Sequence, residues 1–234
     1  MGPTRVEAAA SGSALRLGSL ASGCCVLAPL LERHPEIELD VRSSYAVIDL
    51  ADEGVDLALR TGAAAGLPGL VSQRLLSSPW CVYATPEYLA RHGTPSCPGD
   101  LARHRLLGFR TNGSERAGAW RFRSSTPGEG SQLSLDIDAQ VVFDDGCAAY
   151  DMAASGHGIV WAPEWLASDD LRLGRMAEVM TDWRSDEQVV SMVRRDRKLT
   201  PRRLRVVTDT LLAAADRWKD RENRARLAQS HPAV

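Results

Sequence analysis

Apolar positions along the chain switch between two periods. Leu15 and Leu17 alternate with Arg16, and Ile37, Leu39 and Val41 alternate with Glu38 and Asp40, which is the spacing of half-buried strands. Between them Val26, Leu27, Leu30 and Leu31 recur at helical spacing behind Ser22, a residue type that caps helices, and His34-Pro35 closes the stretch. Ser43 and Ser44 precede a second helical stretch, Tyr45 to Glu53, which Gly54 ends. Val55 to Arg60 is short and nearly continuously apolar, as expected of a strand in a parallel sheet covered on both faces. This order predicts two right-handed crossovers. Ahead of it, Met1 to Ser13 is small and polar, with an alanine run at Ala8 to Ala10, and reads as the end of a linker.

Leu70 to Ala84 is a long extended segment interrupted at Ser77-Ser78-Pro79, which predicts a strand shared between two lobes. Thr85-Pro86 opens a helix by cap and first-turn proline, Gly93 ends it, and Pro98 to His104 makes another. Strands are predicted at Arg105 to Phe109, Trp120 to Arg123 and Leu133 to Phe143, with glycine- and serine-rich hairpin loops between them. The logic of the first unit then returns: strand Ala139 to Phe143, turn Asp144-Asp145-Gly146, helix Cys147 to Ser155, stop Gly156, strand Ile159 to Ala162. Leu171 to Met180 and Gln188 to Val193 read as extended. Thr200-Pro201 opens a last helix whose Leu204, Val207, Leu211, Leu212, Ala215 and Trp218 form one apolar stripe.

Composition is that of an ordinary globular chain, 44% hydrophobic and 25% charged, which excludes a disordered or collagen-like protein. Lys+Arg 28 against Asp+Glu 30 leaves a net charge of -2, so no overall basic field attracts a phosphate backbone. The basic cluster Arg194, Arg195, Arg197, Lys198, Arg202, Arg203 and Arg205 is the best local case for nucleic acid, but Asp196 interrupts it and a solvated face is the simpler reading. The longest uncharged apolar run, Leu17 to Leu31, falls short of the ~20 residues of a spanning helix, and no signal core precedes it; a cytoplasmic protein is expected. Cys24, Cys25, Cys81, Cys97 and Cys147 show no paired metal-ligand spacing and read as free thiols; no metal or cofactor is expected. Cys147, at a predicted helix start where thiol pKa falls, keeps redox sensing open.

Several segments together resemble the effector-binding domain of LysR-type transcriptional regulators. They are Leu15-Arg16-Leu17-Gly18, Leu27-Ala28-Pro29-Leu30-Leu31 with His34-Pro35-Glu36, and Glu53-Gly54-Val55-Asp56-Leu57-Ala58-Leu59-Arg60. Thr85 to Gly93, Pro98 to His104, Trp120-Arg121-Phe122, Gly156-His157-Gly158-Ile159 and Pro163-Glu164-Trp165-Leu166 extend the likeness over nearly the whole chain. The resemblance implies an α/β type 2 periplasmic-binding-protein fold: two Rossmann-like lobes joined by two crossover strands. Residues 14-79 with 187-219 would form the first lobe, 80-186 the second, 1-13 a linker remnant and 220-234 a charged tail. It implies a small organic effector, often a carboxylate or aromatic metabolite, bound between the lobes of a homo-oligomer to modulate transcription. The family's DNA-reading winged helix-turn-helix has no counterpart in these residues, so DNA contact is expected only through such a domain. The first helix is about one turn shorter than the family pattern, which bears on the dimer surface, and Asp144-Asp145 stands where many relatives carry Asn-Asp.

By that resemblance Ser22, Ser44 and Tyr45 face the cleft, with Arg60 and Thr61 ending the third strand and Asp144, Asp145 and Trp161 contributed by the second lobe. Hydroxyls and free N–H groups at helix starts suit a carboxylate, and a tryptophan face suits a ring. Each has an ordinary alternative: Ser22 and Asp145 as plain caps, Arg60 as the partner of Asp56, Trp161 as partly buried core. Ser22, His157 and Asp144 can be drawn as a hydrolase triad, but the G-x-S-x-G elbow is missing, and no enzyme is expected. A transport-type solute-binding protein is the other alternative of the same fold.

Overall fold

The computed structural model describes residues 4–9, 27–44, 54–61, 69–110, 116–125, 132–196 and 200–230. Its first sheet has the order β2-β1-β3-β13-β4, formed by β1 (Thr4–Ala9), β2 (Leu39–Ser44), β3 (Leu57–Thr61), β4 (Leu70–Ser78) and β13 (Gln188–Arg195). β1 runs parallel to both β2 and β3, while β13 returns antiparallel to β3 and β4. The helix α1 (Leu27–Arg33) and the long α5 (Arg202–Ser230) pack beside this sheet. Leu30, Leu57, Leu59, Leu75 and Met192 form their common core with Leu204, Val207, Leu211, Ala215 and Trp218, the apolar stripe of α5. The backbone of α5 continues as helix through most of the stretch read as a charged tail.

The first strand, Thr4–Ala9, lies within the stretch 1-13 read as linker. Alanine runs favour helix or loop in isolation, but here six consecutive pairs with β2, from Thr4 opposite Leu39 to Ala9 opposite Ser44, impose an extended backbone. The expected strand around Leu15, the cap Ser22 and the helix Tyr45 to Glu53 lie outside the described residues.

The chain leaves the first sheet at Pro79 and enters a second, of order β11-β5-β10-β6-β9. Its strands are β5 (Trp80–Ala84), β6 (Leu106–Phe109), β9 (Val141–Phe143), β10 (Ile159–Pro163) and β11 (Ala177–Val179). The helix α2 (Pro86–His92) begins where Thr85 Oγ1 accepts the Tyr88 N–H at 3.2 Å and ends at Gly93, whose φ of 86° suits glycine. The next segment, Pro98–Arg103, is a 3-10 helix, because Asp100 turns back to hold the Ser96 and Cys97 N–H groups and tightens the turn. The helices α3 (Gly146–Ala154) and α4 (Glu164–Arg172) cover one face of the second sheet. Trp165 of α4 packs against the cores of both lobes.

Two expectations change here. The strand expected at Leu133 to Phe143 is two: β8 (Gln132–Leu135) pairs antiparallel with β7 (Trp120–Ser124), while β9 lies parallel to β6, so the chain must turn at 136–140. The start of the extended stretch expected at Leu171 instead closes α4, whose Leu166, Ala167 and Asp170 face inward; only β11 of that stretch is strand. β7 and β8 join β12 (Trp183–Arg184) in a small antiparallel sheet, and the chain returns through Ser185–Glu187 into β13. The two passages between lobes are tied to each other: Trp80 N–H donates to Ser185 Oγ at 2.8 Å, and Ser185 N–H donates to Trp80 O at 3.0 Å.

Candidate functional site

A cavity of about 570 Å³ opens beside these two passages. Thr61 at the end of β3 and Gln188 at the start of β13 line it from the first lobe. Trp80, Ser185 and Asp186 belong to the passages themselves. The second lobe supplies Phe109 at the end of β6, Trp161 of β10 and the β7–β8 hairpin, from Arg121 to Arg123 and from Gln132 to Ser134. Gly108 makes one part of that wall possible: a Cβ there would meet Ala117 Cβ at 2.7 Å and Ala139 Cβ at 3.0 Å, too close for any side chain. The glycine therefore lets the segment carrying Gly118 and Ala119, both on the cavity wall, lie against β6.

Trp161 is the centre of an aromatic cluster. Its ring lies 4.6 Å from Trp80, stacks on Trp120 at 6.4 Å with 22° between planes, and meets Phe122 edge-on at 6.4 Å. Trp80 in turn stacks on Phe109 at 5.6 Å. Trp80, Phe109 and Phe122 are buried, whereas Trp161 keeps part of its surface open. A planar wall held by neighbours on three sides costs little conformational entropy to present to a ligand.

Alternation along β7 sends Trp120 and Phe122 inward and Arg121 and Arg123 outward. The two arginines then differ. Arg123 Nε lies 2.7 Å from Asp186 Oδ1, its Nη2 donates to Asp186 Oδ2 at 3.1 Å, and Gln132 Nε2 donates to the same oxygen at 3.1 Å. Arg121 makes no hydrogen bond or ion pair among the described residues. Among the described residues of this wall two guanidinium groups stand against one carboxylate, an excess of one positive charge.

Of the residues expected at the site, Thr61 and Trp161 line the cavity. Arg60, Asp144 and Asp145 do not. Arg60 precedes Thr61 on a strand, so its side chain leaves on the opposite face. Asp145 is the cap of α3, accepting the Cys147 N–H at 3.1 Å, and Asp144 beside it is exposed. Ser44 closes β2, where only the backbone is described; Ser22 and Tyr45 are outside the described residues. His157 is exposed in a turn and, like Asp144, stands off the cavity wall. Sequence reasoning missed Trp80, Phe109, Arg121, Arg123, Gln132, Asp186 and Gln188. The alternation of Trp120, Arg121, Phe122 and Arg123 was a visible signal for the hairpin's two faces.

A second ionic group lies in the same lobe but off the cavity. Arg184 reaches Glu178 at 2.8 Å and Glu164 at 3.7 Å, and Glu164 is 4% exposed. Burial pushes the Glu178 carboxyl above the usual range even against the pull of Arg184, and burial likewise pushes the neighbouring Cys81 thiol up, so that thiol stays protonated. Among the described residues no group of acids, histidines and cysteines is arranged to hold a metal ion, and no helix is long and apolar enough to cross a membrane.

The profile of the LysR substrate binding domain matches residues 11–216. The HTH-type transcriptional regulator CrgA of Neisseria meningitidis serogroup B is 33% identical over 192 residues, which are 80% of this chain and 62% of that protein. An HTH-type transcriptional regulator of Xanthomonas campestris pv. campestris is 29% identical over 197 residues, 81% of this chain and 56% of its own. The chain thus spans less than two thirds of the length of these curated relatives. Among solved structures, the regulatory domain of CrgA from Neisseria meningitidis superposes with a TM-score of 0.73 at 30% identity, covering 91% of this chain and 98% of that one. Full-length AphB, a virulence activator of Vibrio cholerae, gives 0.71 at 20% identity over 91% of this chain and 68% of that one, a likeness of fold.

Proposed function

The chain belongs to the LysR substrate-binding-domain family, a type 2 periplasmic-binding-protein-like α/β fold, and from that premise we propose that it senses a small organic effector in the cavity beside the lobe passages. The observation that carries this reading is the cavity itself: about 570 Å³, the size of a small-molecule site, with walls from both lobes and from the passages between them. A ligand touching both lobes favours the arrangement in which both touch it, so occupancy becomes a shift between open and closed forms. Within a regulator of the kind its relatives are named as, that shift modulates transcription in the cytoplasm. DNA contact would then belong to the part of such a protein outside the matched length, and pairing with a second copy would carry the shift to it. Thr61 and Trp161 are the effector contacts we propose on the described wall, and Ser22, Ser44 and Tyr45 stay proposed contacts on the family resemblance. We read the module as a binder and not a catalyst: His157 and Asp144, two of the three residues of a hydrolase drawing, stand off the cavity wall.

A thermal-shift screen of the whole chain against organic acids, aromatic metabolites and simple sugars tests this. A ligand at a hundred times its Kd stabilises the folded state by about 2.7 kcal/mol, a rise of several degrees. We expect a saturable rise with one compound class, lost in Ser134→Trp, which fills the cavity from an exposed strand position. A panel without any response, or a response that survives Ser134→Trp undiminished, overturns the reading.

A further inference from the structure

Resting on that reading of the cavity, we infer that its effector is an aromatic acid whose ring lies on Trp161 and whose acid group is read by Arg121 of the β7–β8 hairpin. Three observations converge on this. Trp161 is partly exposed and lines the cavity while Trp80, Trp120 and Phe122 hold its ring in place, so a flat ligand ring extends an existing aromatic cluster. Arg123, two residues along the same strand face, is already neutralised by Asp186, with Gln132 on the same carboxylate. Arg121 has no acidic partner among the described residues, and it lines the same cavity as the partly exposed Trp161. A guanidinium at the rim binds a carboxylate through paired N–H donors that a neutral group of the same shape cannot engage equally.

This arrangement differs from the expectation drawn from helix starts, in which Ser22 and Ser44 of the first lobe hold the acid. Here the charged contact comes from a hairpin of the second lobe, so discrimination between an acid and its neutral isostere is assigned to β7. The same assignment makes Asp186 a tuning group: it lies on the cavity wall, holds Arg123, and sets the net charge that an incoming anion meets.

The test is calorimetric titration of the whole chain with 2-naphthoate, its neutral isostere 2-naphthamide, and cyclohexanecarboxylate, each paired with quenching of tryptophan fluorescence. We expect 2-naphthoate to bind about tenfold or more tightly than 2-naphthamide and to quench. Arg121→Gln should bring the two affinities together, and Arg121→Lys should restore part of the gap. Arg121 is exposed, so neither substitution threatens folding. Trp161→Leu should erase the preference of 2-naphthoate over cyclohexanecarboxylate. Equal affinity for acid and amide, or an unchanged ratio in Arg121→Gln, overturns the assignment. If sugars or amino acids bind and Ser134→Trp removes them while 2-naphthoate fails, the aromatic-acid class falls and the sensing reading stands. If nothing in the wider panel binds, both fall together.

Discussion

Two of the arginine–carboxylate clusters in the second lobe use the same side chains for opposite ends. At the cavity, Arg123 and Asp186 meet at 2.7 Å with both side chains about half exposed, while Arg121 beside them has no acidic partner among the described residues. Beneath β11 and β12, Arg184 is held between Glu178 and Glu164 with the two carboxylates almost covered. The Coulomb attraction of each pair is similar in kind, but the cost of removing a partner is not. An exposed ion pair stays solvated and contributes little to folding, so removing one partner leaves the other in water. A covered one has given up its water, and each member depends on the other. Burial therefore decides which arginine is part of the fold and which part of the site.

Arg184→Met is the strongest way to break the comparison. It leaves Glu178 and Glu164 covered without a counter-charge, and we expect a loss of about 3 kcal/mol in denaturant unfolding, the low end for a covered pair because Arg184 itself is partly exposed. Ligand affinity of the protein that remains folded should be unchanged. Asp186→Asn sharpens it from the other side: unfolding should move by less than about 1 kcal/mol, while affinity for 2-naphthoate rises a few-fold because Arg123 joins Arg121 as a free cation. An outcome with these two effects exchanged would reverse the assignment of the two clusters. The smallest effect concerns a carboxylate that is exposed and yet held. The Ser96 N–H and hydroxyl and the Cys97 N–H lower the Asp100 pKa to about 2. The folded value lies below the ordinary carboxylate range, so its contribution to stability is present above about pH 4 and disappears as pH falls toward 2. Acid unfolding of Asp100→Asn, compared with the unmutated chain over that window, should show a slightly shallower pH dependence.

What the sequence revealed follows distance along the chain. Thr85, Pro86 and Gly93 bound a helix by contacts within four residues, and they were legible. The apolar stripe of α5 was legible because a helix repeats its own register. The strand at Thr4–Ala9 was hidden because its partners lie some thirty to fifty residues away in β2 and β3, and nothing in a run of alanines announces them. The candidate site divides in the same way. Trp161 stood out as an aromatic in an apolar strand, but the pairing that singles out Arg121 depends on Asp186, which comes from the far passage 63 residues after Arg123. Arg60 and Thr61 show a finer failure: placing a strand end at the cleft does not say which of two neighbours points into it, and pleating gives them opposite faces.

The reciprocal bonds between Trp80 and Ser185 reach beyond local stability. The two passages, laced side by side, form one connection and not two independent ones, so a relative movement of the lobes would turn about a single axle and be described by one angle. Under the proposed sensing role any occupant, whatever its shape, would then be reported only as a value of that angle. Discrimination among compounds would on that proposal be completed on entry, by charge and ring, since one angle carries no trace of which compound set it.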